Sequence, residues 1–309
     1  MKVVVTGGTG FLGKALLPKL KEAGHEVVSC SRSEGIDIRD FDAFKTFLDA
    51  EKPELVVHCA AHVGGIGYNA LHPVEIFEDN VHIGLNLIKA CHAAGIKKVL
   101  NVVPNCVYPG KLGEYEESLL WDGAVHESIL SYAMPRRLLW GACLSYCKQD
   151  ADFRPVHLIF PNMYGPNDHF EPIRSHALGA LLKKIMEAQK NGDDTIEIWG
   201  SGKPIREWLY VEDGADSIVK SISRFDSFSA NDVMNIGVTK GVSISELAEM
   251  IKEKAGWAGS FTYATDKPDG AMKKILIAEK MKKILEWEPP TSLPDGISET
   301  VAWYRKEFA

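Results

Sequence analysis

The first turn of the chain constrains its fold more than any other feature. An apolar run, Val3-Val4-Val5, leads into Thr6-Gly7-Gly8-Thr9-Gly10-Phe11-Leu12-Gly13 and then into a helical pattern. Between a buried strand and a helix, Gly7, Gly10 and Gly13 allow a tight turn, close approach to a pyrophosphate and packing of the helix on the sheet. Thr9, Phe11 and Leu12 lie in the same turn and are read with the glycines as cofactor-binding.

The rest of the N-terminal half keeps the same rhythm. Apolar β-rich runs at Lys2 to Val5, Glu26 to Ser29, Leu55 to Ala60 and Val99 to Val103 alternate with helical patterns at Leu16 to Ala23 and Val81 to Ala93. Such alternation implies βαβ units and a parallel sheet buried on both faces, an α/β fold of the doubly wound Rossmann kind. After Gly165-Pro166 the regularity falls, and a smaller mixed C-terminal lobe is expected to hold the substrate. The expected division is residues 1–165 with about 207–240 for the dinucleotide domain, and 166–206 with 241–309 for the lobe.

Composition narrows the class of partner. With 309 residues, 45% of them hydrophobic, the chain can bury a sizeable core. A net charge of −7 with no Lys/Arg run argues against nucleic acid and for a small anion. No apolar run approaches the ~20 residues of a membrane helix, and the first residues lack a leader pattern, so a cytoplasmic protein is expected. The six cysteines show no CxxC spacing, which suits a reducing compartment and leaves no metal site to expect.

The second strand ends in Ser29-Cys30-Ser31-Arg32-Ser33, without the acid that usually binds the adenosine ribose of NAD. Arg32 and the hydroxyls suit a 2′-phosphate, which favours NADP(H) over NAD. Asp37-Ile38 stands where such folds contact the adenine.

From His58-Cys59-Ala60-Ala61 onward the chain resembles the extended short-chain dehydrogenase/reductases, the NAD-dependent epimerase/dehydratase family, with Ala60 and Ala61 on the cofactor wall. His62-Val63-Gly64-Gly65-Ile66, Asn80, Asn105-Cys106-Val107-Tyr108-Pro109, Pro161 to Pro166, Ser175-His176, Trp199 to Pro204 with Arg206-Glu207, and Lys267-Pro268-Asp269-Gly270 extend the likeness along nearly the whole chain. Within the family these motifs resemble the GDP-L-fucose synthase branch. That branch inverts C3 and C5 of a 4-keto-6-deoxy sugar on GDP and then reduces C4 with NADPH.

The resemblance assigns the chemistry by motif match. Inversion needs two acid/base groups, and Cys106 and His176 occupy those places. Reduction needs a proton donor, Tyr132, with a lysine four residues on that holds the nicotinamide ribose; here that position is Arg136. The hydroxyl residue that usually bonds the substrate oxygen falls on Pro104, and Asn105 beside it could donate instead. Pro135 is expected to start or kink the helix that carries Arg136.

For the nucleotide sugar, Arg206 with Lys183, Lys273 or Lys274 could neutralise a diphosphate, and Asn162, Trp199, Lys267 and Asp269 fall in substrate-lining motifs. GDP rests on the resemblance alone. Helices around Val81 to Ala93 and Tyr132 to Tyr146 pair with their copies in relatives, so a homodimer is expected. Pro104 and Arg136 keep two further readings open: an epimerase or dehydratase without net reduction, and an NADP-binding regulator without catalysis.

Overall fold

In the computed structural model, residues 1–309 are described except Pro172, Ile173, Pro268 and Ala309, so Pro268 of the Lys267 to Gly270 motif lies outside the described residues. The strands are β1 (Lys2–Thr6), β2 (Glu26–Cys30), β3 (Leu55–His58), β4 (Lys98–Pro104), β5 (Glu114–Tyr115), β6 (Arg154–Phe160), β7 (Asn162–Tyr164), β8 (Thr195–Trp199), β9 (Ile205–Tyr210), β10 (Asp232–Asn235), β11 (Gly241–Ser243), β12 (Ser260–Ala264) and β13 (Lys273–Leu276). The helices are α1 (Phe11–Glu22), α2 (Phe41–Glu51), α3 (Ile66–Leu71), α4 (Pro73–Ala93), α5 (Leu130–Gln149), α6 (Ala177–Asn191), α7 (Val211–Ser223), α8 (Ile244–Ala255), α9 (Glu279–Leu285) and α10 (Leu293–Phe308).

Six parallel strands form the main sheet in the order β10-β6-β4-β3-β1-β2. Its direction of winding reverses between β1 and β3, which opens a crevice at the carboxyl ends of the strands, where this class of fold binds ligands. The sequence explains the two-sided burial. Val3 and Val5 face one core with α1, α7 and α9, while Val4 faces the other with α2, α4 and α5. Each fully buried leucine of α1, such as Leu16 or Leu20, contributes roughly 1.5–3 kcal/mol to that packing.

A second sheet, β11-β9-β13-β5 with β7 beside β9, and the pair β12-β8 make the mixed part of the molecule. Around them α6, α8 and α10 close a separate core built on Leu182, Ile185, Leu247 and Ile251. Helix α8 is locally encoded: Ser243 and Glu246 form a reciprocal capping box, and Gly256 ends the helix in the left-handed region.

Two helix boundaries differ from the sequence reading. Helix α4 begins at Pro73, eight residues before Val81, because proline suits the first helical turn. Helix α5 begins at Leu130 and runs on through Pro135, so that proline neither starts nor ends it.

Candidate active site

One cavity of about 1320 Å³ lies at the carboxyl ends of β1, β3, β4 and β6 and extends under α6 and β9. That volume exceeds the ~300–1,000 Å³ of a pocket for one small molecule, so two ligands can share it. The cofactor, catalytic and substrate residues expected from the sequence line it, from Gly7 in the first turn to Lys274, with Lys273 the exception.

At the cofactor end the glycines are required by contact. Gly7 has φ +71°, and a Cβ there would lie 2.9 Å from the Ala60 main-chain nitrogen. A Cβ on Gly13 would sit 2.3 Å from the Gly7 carbonyl, and one on Gly10 3.1 Å from it. Gly10 caps α1 with extended backbone and no side-chain bond, so the helix N-terminus presents its N–H groups to the cavity beside Thr9, Phe11 and Leu12. Ala60 and Ala61, in the turn after β3 that abuts Gly7, also line the cavity.

Further along this end Arg32 is exposed and makes no ion pair among the described residues. Asp37 is already engaged: Arg39 donates to both its oxygens at 2.6–3.1 Å, which holds the carboxyl below its ordinary range. Arg39 also reaches Asp79 at 2.8 Å, Asp79 holds His62 Nδ1 at 2.8 Å, and Tyr68 closes the chain at His62 Nε2. Ile38 is buried next to Asp37. The sequence reading missed Arg39 and Asp79, whose only signal was opposite charges in separate elements.

In the middle of the cavity stand Tyr132 and Arg136, one helical turn apart on α5, with Asn105 and Cys106 on the short turn after β4. The Arg136 guanidinium carbon lies 5.5 Å from the Tyr132 ring centroid. Burial pushes the Tyr132 phenol up, and the Arg136 charge opposes that. The Asn105 side-chain nitrogen is buried without a partner among the described residues. Burial pushes the Cys106 thiol up to about 11, against the pull of Lys274 and Arg136. His176 stands at the N-cap of α6, open to the cavity but ringed by protein, and loss of solvent holds it below the usual histidine range. Cys106 and His176 make no side-chain hydrogen bond to another described residue.

At the far end, Lys183 lies seven residues after His176 on α6, hence on the same helical face. Arg206 donates to its neighbour's carbonyl at Ile205 and is strongly desolvated, which lowers its pKa. Strand alternation separates the two candidate lysines of β13: Lys273 turns away to pair with Glu114 at 2.6 Å, whereas Lys274 faces the cavity beside Arg206. Asp269 accepts from the Ser201 N–H and hydroxyl at 2.7 and 2.8 Å and so ties its loop to the turn after Trp199. Trp199 is 67% exposed at the rim, Asn162 donates to the Glu207 carbonyl, and Lys267 pairs with Asp266. Asp168, missed by the sequence reading, also lines the cavity; burial pushes its carboxyl up to about 7. Among the described residues no His/Cys/Asp/Glu group could hold a metal, and no helix is long and apolar enough to cross a membrane.

The model of the NAD dependent epimerase/dehydratase family matches residues 3–237. GDP-L-fucose synthase 1 of Arabidopsis thaliana is 34% identical over 99% of this chain and 93% of its own. The crystal structure of a GDP-L-fucose synthetase from Naegleria fowleri bound to NADP is similar at a TM-score of 0.88, with 30% identity over 99% of this chain and 93% of that one. A GDP-6-OMe-4-keto-L-xylo-heptose reductase from C. jejuni is similar at a TM-score of 0.90, with 26% identity over 99% of this chain and 98% of that one.

Proposed function

The chain belongs to the NAD dependent epimerase/dehydratase family, and from that premise we propose that it converts a GDP-4-keto-6-deoxy sugar by inversion at C3 and C5 and NADPH-dependent reduction at C4. The observation that carries this reading is the meeting of Cys106, Tyr132 and His176 in one cavity large enough for a dinucleotide and a nucleotide sugar.

The residues present fit NADP(H). A turn in which a Cβ on Gly7 or Gly13 would strike main chain can bring its backbone close to a pyrophosphate, the α1 N-terminus favours its charge, and Arg32 makes no ion pair among the described residues and can meet a 2′-phosphate. Gly7, Thr9, Gly10, Phe11, Leu12 and Gly13 would hold the diphosphate, Ile38 and Asp37 the adenosine side, and Ala60, Ala61, Tyr132 and Arg136 the nicotinamide ribose side. The bound dinucleotide supplies the hydride for C4.

The protein's own groups handle protons and charge. Between the histidine range and about 11 the pair Cys106 and His176 carries one proton, held on sulfur while the imidazole is neutral. One member takes the proton that the neighbouring ketone has made acidic, and the other returns one on the opposite face. Tyr132 then protonates the oxygen at C4, with Arg136 stabilising the phenolate that results. Asn105, with a spare N–H, takes over the hydrogen bond that Pro104 cannot make. Arg206, Lys274 and Lys183 neutralise the diphosphate, and Asn162, Trp199, Lys267 and Asp269 line the sugar and base.

In this reading residues 1–165 with about 207–240 form the dinucleotide end of the cavity, and 166–206 with 241–309 the nucleotide-sugar end. A second copy of the chain is the proposed partner. Leu130, Met134 and Leu138 form an exposed apolar ridge at successive turns of α5, and Val74, Phe77 and Leu85 of α4 are exposed as well. Six free cysteines support a cytoplasmic location.

Consumption of NADPH on adding GDP-4-keto-6-deoxymannose tests the proposal. Turnover with loss of NADPH supports it. Binding of both ligands with the sugar inverted and NADPH intact would support an epimerase without net reduction, the reading that Pro104 favours.

A further inference from the structure

A line of polar residues crosses the main sheet where an apolar face would be expected. Thr6 on β1 is in register with His58 on β3, His58 with Asn101 on β4, and Asn101 with His157 on β6. All four are buried, on the same face as Val4, Val56 and Val99. Helix α5 lies over that row: Arg136 reaches His58, and Cys143, seven residues on, lies 3.8 Å from Asn101. Buried polar groups are tolerated only when bonded, so each member needs a reason to be there.

The bonds of His58 fix its form. Its Nε2 lies 3.3 Å from Arg136 Nη1 and its Nδ1 2.8 Å from Thr6 Oγ1. A guanidinium can only donate, so Nε2 carries the lone pair and Nδ1 the hydrogen, which it gives to Thr6. Full burial and the Arg136 charge both favour this uncharged form. The second arm of Arg136, Nη2, donates to the Ala60 carbonyl at 3.2 Å and to Asn80 Oδ1 at 3.1 Å. One planar fork therefore spans acceptors from β3, the cofactor wall and α4, a geometry a compact lysine ammonium does not match.

We infer that His58 is a positioning residue for the reductive step: its Nε2 anchors the Arg136 guanidinium against Tyr132, and the Arg136–His58 pair takes the place of the single lysine in the Tyr-x3-Lys pattern. The inference rests on the reduction proposed above. A lysine ammonium at position 136 would not meet all the acceptors that the two arms of the guanidinium reach.

The test separates the two nitrogens of His58 in the full chain. Glutamine in place of histidine can present an acceptor near Nε2, and asparagine one near Nδ1. His58→Gln should keep the rate of C4 reduction within about threefold, whereas His58→Asn and His58→Phe should lower kcat by roughly tenfold or more with KM for the nucleotide sugar nearly unchanged. The alkaline limb of kcat should move to higher pH in His58→Asn, because Tyr132 loses its aligned cation. Arg136→Lys should cost much less in the His58→Phe background than alone, since the two act as one unit. Asparagine matching glutamine, or losses that add, would overturn the role and leave His58 as sheet packing. If the native chain reduces nothing, the proposed function fails separately; the Tyr132 phenol, read by ultraviolet titration against Tyr132→Phe counterparts, then decides. A lower pKa in His58→Gln than in His58→Asn supports the anchoring, and equal values overturn it.

Discussion

The groups assigned to the two halves of the proposed chemistry line one cavity, and the protein treats the two sets differently. In the reductive set Arg136 is held by three acceptors, from the end of β3, the turn that follows it and α4, and Tyr132 stands against it. In the epimerising set neither Cys106, which stands beside Tyr132 and Arg136, nor His176 bonds another side chain among the described residues, and both are shifted chiefly by loss of solvent. The first set is thus preorganised by the protein, with an arginine where the resemblance leads one to expect lysine. The second holds the residues the resemblance leads one to expect and, in the proposed chemistry, leaves their final alignment to the substrate. Substitution is tolerated where a rigid scaffold can rebuild the geometry, and less where the reacting groups themselves are the only polar contacts.

The largest effect that separates the two sets is expected from Tyr132→Phe. It should slow C4 reduction by about 10²–10⁴-fold, the usual worth of a positioned acid, while deuterium uptake from heavy water at C3 and C5 stays within a few-fold. Loss of both together would mean that the two sets do not act independently. Cys106→Ser should do the reverse, lowering uptake by roughly 10²-fold or more while a sugar supplied already inverted is still reduced. A smaller loss, on the order of tenfold, is expected in reduction alone for Asn105→Ala, and no loss would return the substrate-oxygen contact to another donor.

The mildest test is pH. His176 is held below the usual histidine range and Cys106 is raised to about 11. The pair therefore keeps its one proton from neutral to strongly alkaline pH. The rate of deuterium uptake should form a plateau from about pH 7 to pH 9 and fall on the acid side as His176 gains a proton. A steep rise across that interval would mean instead that a free thiolate, not the one-proton pair, is the active form.

Much of the candidate site was readable because its signals are local. The glycine turn, the Asn105-Cys106 turn and the Tyr132 to Arg136 spacing each sit within a few residues, so the sequence places them without knowledge of long-range packing. Strand period likewise distinguishes Lys273 from Lys274 once β13 is known, though not before. The polar row was not readable. Thr6, His58, Asn101 and His157 lie on four strands far apart in the chain; the first two end apolar runs and the last two interrupt them, and nothing joins the four until the register aligns them. The same holds for the Arg39–Asp79–His62 chain, which joins elements separated by α2 and β3.

The most direct measurement of the proposed two-step chemistry is the mass of the nucleotide sugar recovered after incubation with NADPH and a GDP-4-keto-6-deoxy sugar in heavy water. Deuterium at two carbons together with the added mass of reduction is the expected result. A product with neither change, from protein shown to bind NADPH, would contradict that chemistry.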